Sequence, residues 1–186
     1  MKTADNKAFT VRNYVLCALF AALIAVGAFL RIPVPLVPFT MQLPFVCLAG
    51  LLLGSRQGAF SVFIYVFAGL IGLPVFTQGG GPAYVLQPTF GYLLGFIPAA
   101  WLTGMLVEKG NYTAWSIFGS SVAGILVAYA FGIAYYVVLA KTVLLIPLDP
   151  GKIFVVFFLN TIGGDLFSAA LLVPVAKRVR LALRAA

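Results

Sequence analysis

Two long stretches without a charged side chain limit what this chain can fold into. No Asp, Glu, Lys or Arg occurs between Arg56 and Glu108, and none occurs from Gly110 to Ala140. Each stretch can hold at least one helix of about 20 apolar residues, the length needed to cross a bilayer. Because the 186-residue chain is 63% hydrophobic and only 9% charged, we predict an integral membrane protein rather than a soluble domain.

Charges, prolines and glycines divide the chain into six candidate spans. The second and third are short, so each either crosses the bilayer in part or is lengthened by neighbouring residues. The pattern predicts an all-α integral membrane protein, a compact bundle of six transmembrane helices forming one domain over residues 1–186. The predicted spans are Val11 to Leu30, Gln42 to Gly54, Gly58 to Ile71, Gly91 to Val107, Ala114 to Leu139 and Ile153 to Ala176.

The basic residues predict the orientation of the bundle. Most of the 12 Lys and Arg residues fall on one side of six spans, so the positive-inside rule places both termini in the cytoplasm. The net charge of +8 therefore indicates topology rather than nucleic-acid binding, which would need an interleaved basic and aromatic surface. The predicted inner side contains Lys2, Lys7, Arg12, Arg56, Lys109, Lys177, Arg178, Arg180 and Arg184, and the outer side contains Arg31, Lys141 and Lys152.

Two segments predicted to face outward are apolar and rich in helix breakers. The segment from Arg31 to Met41 is rich in proline, and a chain that cannot be helical but avoids water must pack on protein. We expect it to re-enter or cover the bundle. The segment from Leu73 to Phe90 is longer than an ordinary connection, and Gly79 to Gly81 would let main-chain groups approach a ligand. The fold prediction therefore includes ligand-covering outer loops.

Asp165 is the only charged residue from Ile153 to Ala176. An ionised group within a membrane span costs roughly 2.5 to 3.5 kcal/mol on insertion scales, which makes Asp165 a candidate functional residue. On a helix Ser168 shares its face, whereas Asn160 lies further round. Two interpretations are open: a buried Asp satisfied by Ser168, Gln42 or backbone amides, or a carboxylate that accepts N–H groups of a ligand.

Other polar side chains near the predicted outer end could line a small-molecule pocket, which is mostly apolar with a few placed polar groups. Each could equally be an ordinary cap or interface residue. The predicted substrate-binding residues are Asp165, Gln42, Gln78, Gly79, Gly80, Gly81, Tyr84, Gln87, Thr89, Tyr92, Asn160 and Ser168.

Small residues at four-residue spacing mark the first helix. Ala18 with Ala22, and Ala21 with Ala25, form a smooth patch that permits close approach of another helix. Packing within the bundle and contact with another subunit would both use such a patch, and the spacing alone does not choose between them.

The sequence lacks the patterns of common enzyme chemistry. It contains no Walker A motif, no paired-carboxylate, Ser/His or Cys/His arrangement, and no His at all. We therefore predict no enzyme, no cofactor and no metal site. A self-sufficient carrier coupled to an ion gradient, in which Asp165 titrates during transport, is the alternative to a binding subunit.

Distinctive motifs occur along nearly the whole chain. They are Val34-Pro35 with Pro38 to Gln42, Leu48 to Gly54, Gly69 to Phe76, Gly79 to Gly81, Gln87 to Tyr92 with Gly95-Phe96, and Gly164-Asp165. The block from Gly69 to Phe96 is specific rather than general to membrane proteins. Together these motifs resemble the BioY family, the biotin-binding S components of energy-coupling factor (ECF) transporters.

The resemblance implies a high-affinity biotin-binding subunit of a prokaryotic cell membrane, which captures biotin from outside beneath the outer loops. Import would need a membrane coupling subunit and two cytoplasmic ABC-type ATPases, with an alanine pair of helix 1 as the docking face. Biotin would be the substrate and not a cofactor.

Two departures from the family leave the carboxylate of biotin without an expected partner. Some relatives have Lys where this chain has Ser168, and some have Arg where it has Leu93. Backbone amides of Gly79 to Gly81 or the hydroxyls of Thr89 and Tyr92 could replace them as donors. Arg31 is a more distant candidate.

Overall fold

The computed structural model describes residues 10–32, 39–145, 149, 151, 153 and 155–185. Within these ranges, six helices of twelve residues or more form a bundle, joined at one end by a two-stranded hairpin and a folded loop. The elements are α1 (Val11–Phe29), β1 (Arg31–Ile32), β2 (Phe39–Thr40), α2 (Gln42–Leu53), α3 (Ser55–Leu70), α4 (Phe90–Lys109), α5 (Ala114–Leu139) and α6 (Asn160–Ala185).

Helix α2 lies at the centre of the bundle and contacts each of the other five helices. Its 12 residues span about 18 Å, well short of a bilayer core of about 30 Å. Since most of its residues are buried against protein, it does not need to reach both membrane surfaces. The short second span is thus confirmed, whereas α3 is longer than predicted because it begins at Ser55.

Close packing of glycines joins α2, α3 and α4. A Cβ atom on Gly50 would overlap the Ala100 carbonyl of α4, and one on Gly58 of α3 would overlap the Gly50 backbone. A Cβ on Gly104 would meet the backbone of Ser55 in the same way. These helices therefore approach to backbone contact, which only small residues allow.

The end of the bundle with the α2–α3 and α4–α5 connections, called the turn end below, also holds both described ends of the chain. Tyr14 of α1 packs edge-on to Phe60 of α3, with ring centroids 6.2 Å apart. At the other terminus, the Arg180 guanidinium carbon lies 3.0 Å from the centroid of the Tyr112 ring in the α4–α5 turn. This arrangement agrees with an even number of spans.

The last helix extends beyond the predicted span at its C-terminal end. Gly151 and Ile153 are already helical, Val155–Leu159 form a π-helical turn, and the α-helix that follows runs from Asn160 to Ala185 instead of ending at Ala176. The prediction stopped where the apolar residues stop. The helix continues because its basic end is still partnered by protein, through the contact between Arg180 and Tyr112.

The opposite end, called the hairpin end below, contains the β1–β2 hairpin and the α3–α4 loop. Arg31 pairs with Thr40 and Ile32 with Phe39 in antiparallel register. The Phe39 ring lies directly against Gly164 of α6, where a Cβ atom would overlap it. The hairpin therefore contacts α6 beside Asp165, although residues 33–38 of the predicted covering segment lie outside the described residues.

Candidate ligand-binding site

A cavity lies at the hairpin end, between the hairpin, the α3–α4 loop and helices α2, α4, α5 and α6. It has about 540 Å³ of empty space, part of it open to solvent. Its apolar wall is formed by Phe39, Leu43, Leu93 and Phe96, and its polar wall by Thr40, Gln42, Thr77, Tyr84, Thr89, Tyr92, Tyr129, Thr161 and Asp165.

Asp165 is only 4% exposed and lies in the wall of this cavity. The Tyr129 hydroxyl of α5 donates a hydrogen bond to Asp165 Oδ2 at 2.5 Å, and it lies 2.5 Å from Thr161 Oγ1. Because a tyrosine has one hydroxyl proton, the Thr161 hydroxyl must donate to Tyr129. Asp165 Oδ1 has no hydrogen-bond partner among the described residues, so one carboxylate oxygen is held in place and the other is available to a ligand.

Asp165 is therefore bonded by Tyr129 and, among the described residues, not by the Ser168 or Gln42 side chains considered from the sequence. Ser168 is buried but does not bond to Asp165 or line the described cavity, because the carboxylate turns toward α5. Thr161 could have been found from the sequence, since it lies four residues before Asp165 on the same helix face. Tyr129 could not, because its contact depends on how α5 packs on α6. Asn160 begins α6, and its side chain lies outside the described part of the chain.

Gln42 connects four parts of the hairpin end. Its Nε2 donates to the Tyr65 hydroxyl of α3, which in turn donates to the Val75 carbonyl at 3.2 Å. Its Oε1 accepts from Thr40 Oγ1 of β2 at 3.1 Å. Gln42 thus has the structural role considered for it from the sequence, and it also contributes to the cavity wall.

The α3–α4 loop is folded around a buried aromatic pair. The Phe76 ring packs on Tyr84 at 4.6 Å between centroids and on Tyr65 at 5.5 Å, and it lies against Gly69. Thr77 Oγ1 and the Tyr84 hydroxyl, both in the cavity wall, are 2.9 Å apart. The packing around Phe76 therefore holds Thr77 and Tyr84 in place in the cavity wall.

The predicted nest of glycine donors does not face the cavity. The Gly79 N–H donates to the Phe76 carbonyl, and the Gly81 N–H donates to the Gly69 carbonyl at 2.7 Å. Both glycines have φ above +100°, which this compact turn requires. The amides of both glycines are already hydrogen-bonded to backbone carbonyls of the protein, so they cannot form the proposed anion site. Gly80, Gln78 and Gln87 are likewise absent from the described residues that line the cavity.

Thr89 and Tyr92 do lie at the cavity, as the sequence predicts. Thr89 Oγ1 is buried without a hydrogen-bond partner in the described part of the chain, which is a costly state. Tyr92 packs edge-on to Tyr129 at 5.5 Å between ring centroids. Leu93 is an apolar part of the wall.

The two alanine pairs of α1 differ in exposure. Ala18 and Ala22 are exposed, whereas Ala21 is 7% exposed and Ala25 packs on the core. The second pair is therefore used within the bundle, and only the first is accessible to another protein.

A membrane bundle with a partly open, partly polar cavity at one end defines a small-molecule-binding membrane protein. In the described part of the chain, three helices, including α1 and α4, are long and apolar enough to cross a membrane. The chain belongs to the BioY family, whose sequence profile matches residues 1–185. The family resemblance predicted from the motifs is thus confirmed.

Relatives and a solved structure agree with this membership. A protein of Lysinibacillus sphaericus described as "Probable biotin transporter BioY" is 44% identical over 175 residues, covering 94% of this chain and 89% of the relative. "Biotin transporter BioY" of Thermotoga maritima is 45% identical over 124 residues, covering 66% and 73%. The crystal structure of the S-component for biotin from an ECF-type ABC transporter matches with a TM-score of 0.79 at 28% identity, covering 91% of both chains. The predicted six-helix membrane fold is confirmed.

Proposed function

We propose that this chain is the biotin-binding S component of an ECF-type vitamin importer, which captures biotin outside the cell for ATP-driven uptake by partner subunits. The observation that carries the proposal is the cavity of a BioY family member in which Asp165 lies beside apolar walls, with one carboxylate oxygen, Oδ1, that no described residue bonds. Related proteins are named as biotin transporters.

The chemistry of biotin complements the cavity. Its ureido group carries two N–H donors and a carbonyl, and an N–H donated to Asp165 Oδ1 would offset part of the cost of burying the carboxylate. Phe39, Leu43 and Phe96 supply apolar surface for the bicyclic ring and aliphatic chain.

The hairpin end faces outside in this proposal, and the turn end faces the cytoplasm. Arg56, Lys109 and Lys177 lie near the turn end, whereas Arg31 and Lys141 are the described cations near the hairpin end. The positive-inside rule favours that orientation. It also places both chain termini in the cytoplasm, where ATPases would work.

The exposed pair Ala18 and Ala22 is the proposed docking face for a membrane coupling subunit. Small side chains at this spacing allow two helices to approach closely within lipid, where packing drives association. Two cytoplasmic ABC-type ATPases would supply ATP hydrolysis, since the chain has no Walker A motif of its own.

Calorimetric titration of biotin into the purified, detergent-solubilised chain tests this function, with riboflavin and thiamine as controls. One-to-one binding of biotin alone is expected. A protein that unfolds cooperatively on heating yet binds no biotin would overturn the proposal. Uptake by proteoliposomes containing this chain alone, abolished when the ion gradient is collapsed, would replace it with the ion-coupled carrier.

A further inference from the structure

The charges of the cavity do not match those of the proposed ligand. Asp165 is the only carboxylate among the described residues that line the cavity, and these residues include no Lys or Arg. Biotin carries a carboxylate of its own. A second negative group in this space, without a cation, would be strongly disfavoured, because a desolvated charge needs a partner.

Arg31 is held against two residues of the cavity wall. Its Nη1 donates to the Thr77 carbonyl at 2.6 Å, which joins the hairpin to the α3–α4 loop. In the hairpin Arg31 pairs with Thr40, and both threonines line the cavity. The side chain itself is exposed, so its guanidinium lies at the rim and not inside.

The remaining N–H groups of Arg31 suit a carboxylate. A guanidinium has five N–H donors in a planar fork, and the bond to Thr77 uses one of them. Because the Thr77 carbonyl already holds the guanidinium in place, the Arg31 side chain loses less conformational entropy when a ligand binds to it. The group can therefore bind a carboxylate without releasing the loop.

The other cations predicted for this end of the bundle are less well placed. Lys141 is exposed on the π-helical turn Ala140–Leu144 that follows α5, and it makes no hydrogen bond to the cavity wall in the described structure. Lys152 lies outside the described residues. Leu93 contributes only apolar surface.

We propose that Arg31 is the carboxylate-binding residue of this site, taking the valerate carboxylate of biotin at the cavity mouth while the ureido ring lies at Asp165. The inference rests on the proposed function and adds the orientation of the bound ligand. It replaces the Gly79 to Gly81 nest, whose amides at Gly79 and Gly81 are used within the loop.

Titration of two ligands, biotin and its uncharged methyl ester, into Arg31→Gln tests the assignment. The variant should bind biotin about 10- to 100-fold more weakly, the usual contribution of a hydrogen bond to a charged group, and bind the methyl ester as the unmodified chain does. Arg31→Lys keeps the charge and should retain part of the preference for biotin. Lys141→Gln, a matched loss of charge at the same end, should change neither affinity.

The outcomes separate the two proposals. If the unmodified chain binds neither ligand, the proposed function fails and the assignment of Arg31 fails with it. If the unmodified chain binds biotin but Arg31→Gln weakens both ligands equally, Arg31 only holds the loops together and the carboxylate contact is wrong. Unchanged binding of biotin by Arg31→Gln would also exclude the contact.

Discussion

Asp165→Asn changes the chemistry of the cavity with almost no change of shape. The amide has one acceptor oxygen where the carboxylate has two, and the Tyr129 hydroxyl, now 2.5 Å from Asp165 Oδ2, would take that oxygen. The NH₂ group would then face the ureido N–H of biotin, donor against donor. Losing a bond to a charged group costs about 1.5 to 3 kcal/mol, and an unsatisfied buried donor about 1 to 3 kcal/mol. We therefore expect biotin affinity to fall by roughly 3 kcal/mol, or more than a hundred-fold.

Calorimetry with biotin measures this loss, and the thermal unfolding midpoint checks the fold. The midpoint should not fall, because the substitution removes a buried charge that is costly to desolvate. Ser168→Ala is the matched control, since Ser168 is buried on the same helix but lies outside the described cavity wall. It should bind biotin normally.

A second substitution tests the reason for the loss. In Asp165→Asn with Tyr129→Phe, no hydroxyl competes for the amide oxygen, so the amide can turn and accept the ureido N–H. This double variant should bind biotin more tightly than Asp165→Asn alone, a non-additive result expected of residues in contact. If Asp165→Asn binds biotin normally, Asp165 does not touch the ligand. If the double variant binds no better than the single one, the competition with Tyr129 is the wrong explanation.

Three further predictions concern other parts of the chain. Ala22→Trp should leave biotin binding intact but abolish ATP-driven uptake in cells that supply the partner subunits, while Leu126→Trp on the exposed face of α5 should not; normal uptake by the first would remove Ala22 from the docking face. Gly69→Ala should lower the unfolding midpoint, because the added methyl group overlaps the Phe76 ring and overpacking costs about 1 to 3 kcal/mol; an unchanged midpoint would show that the loop yields easily. Thr89→Val should raise the unfolding midpoint, since it removes a buried hydroxyl that has no partner among the described residues; a lower midpoint would show that this hydroxyl is hydrogen-bonded in the folded protein.

The sequence predicted those features that depend on one segment at a time. Charge-free stretches located the helices, and an isolated acid in a span pointed to Asp165. The partner of Asp165 was missed because a tyrosine within α5 shows no sign of which neighbour it faces. The glycine triplet indicated an unusual backbone, but not that the Gly81 amide is bound by Gly69. Likewise, two alanine pairs have equal spacing, and only the packing of α1 on α2 and α3 shows which pair is exposed.

The glycine crossings at the turn end have a consequence for where this subunit can hold a ligand. Since Gly50, Gly58 and Gly104 bring α2, α3 and α4 into backbone contact, these three helices leave no room for a ligand between them at that end. If the cavity at the hairpin end takes one biotin, uptake by the subunit without its partners should level off at one molecule per copy however long the incubation. In a cell that makes more copies than it has energised partners, the surplus copies would then store the vitamin at the membrane, with a capacity equal to the copy number.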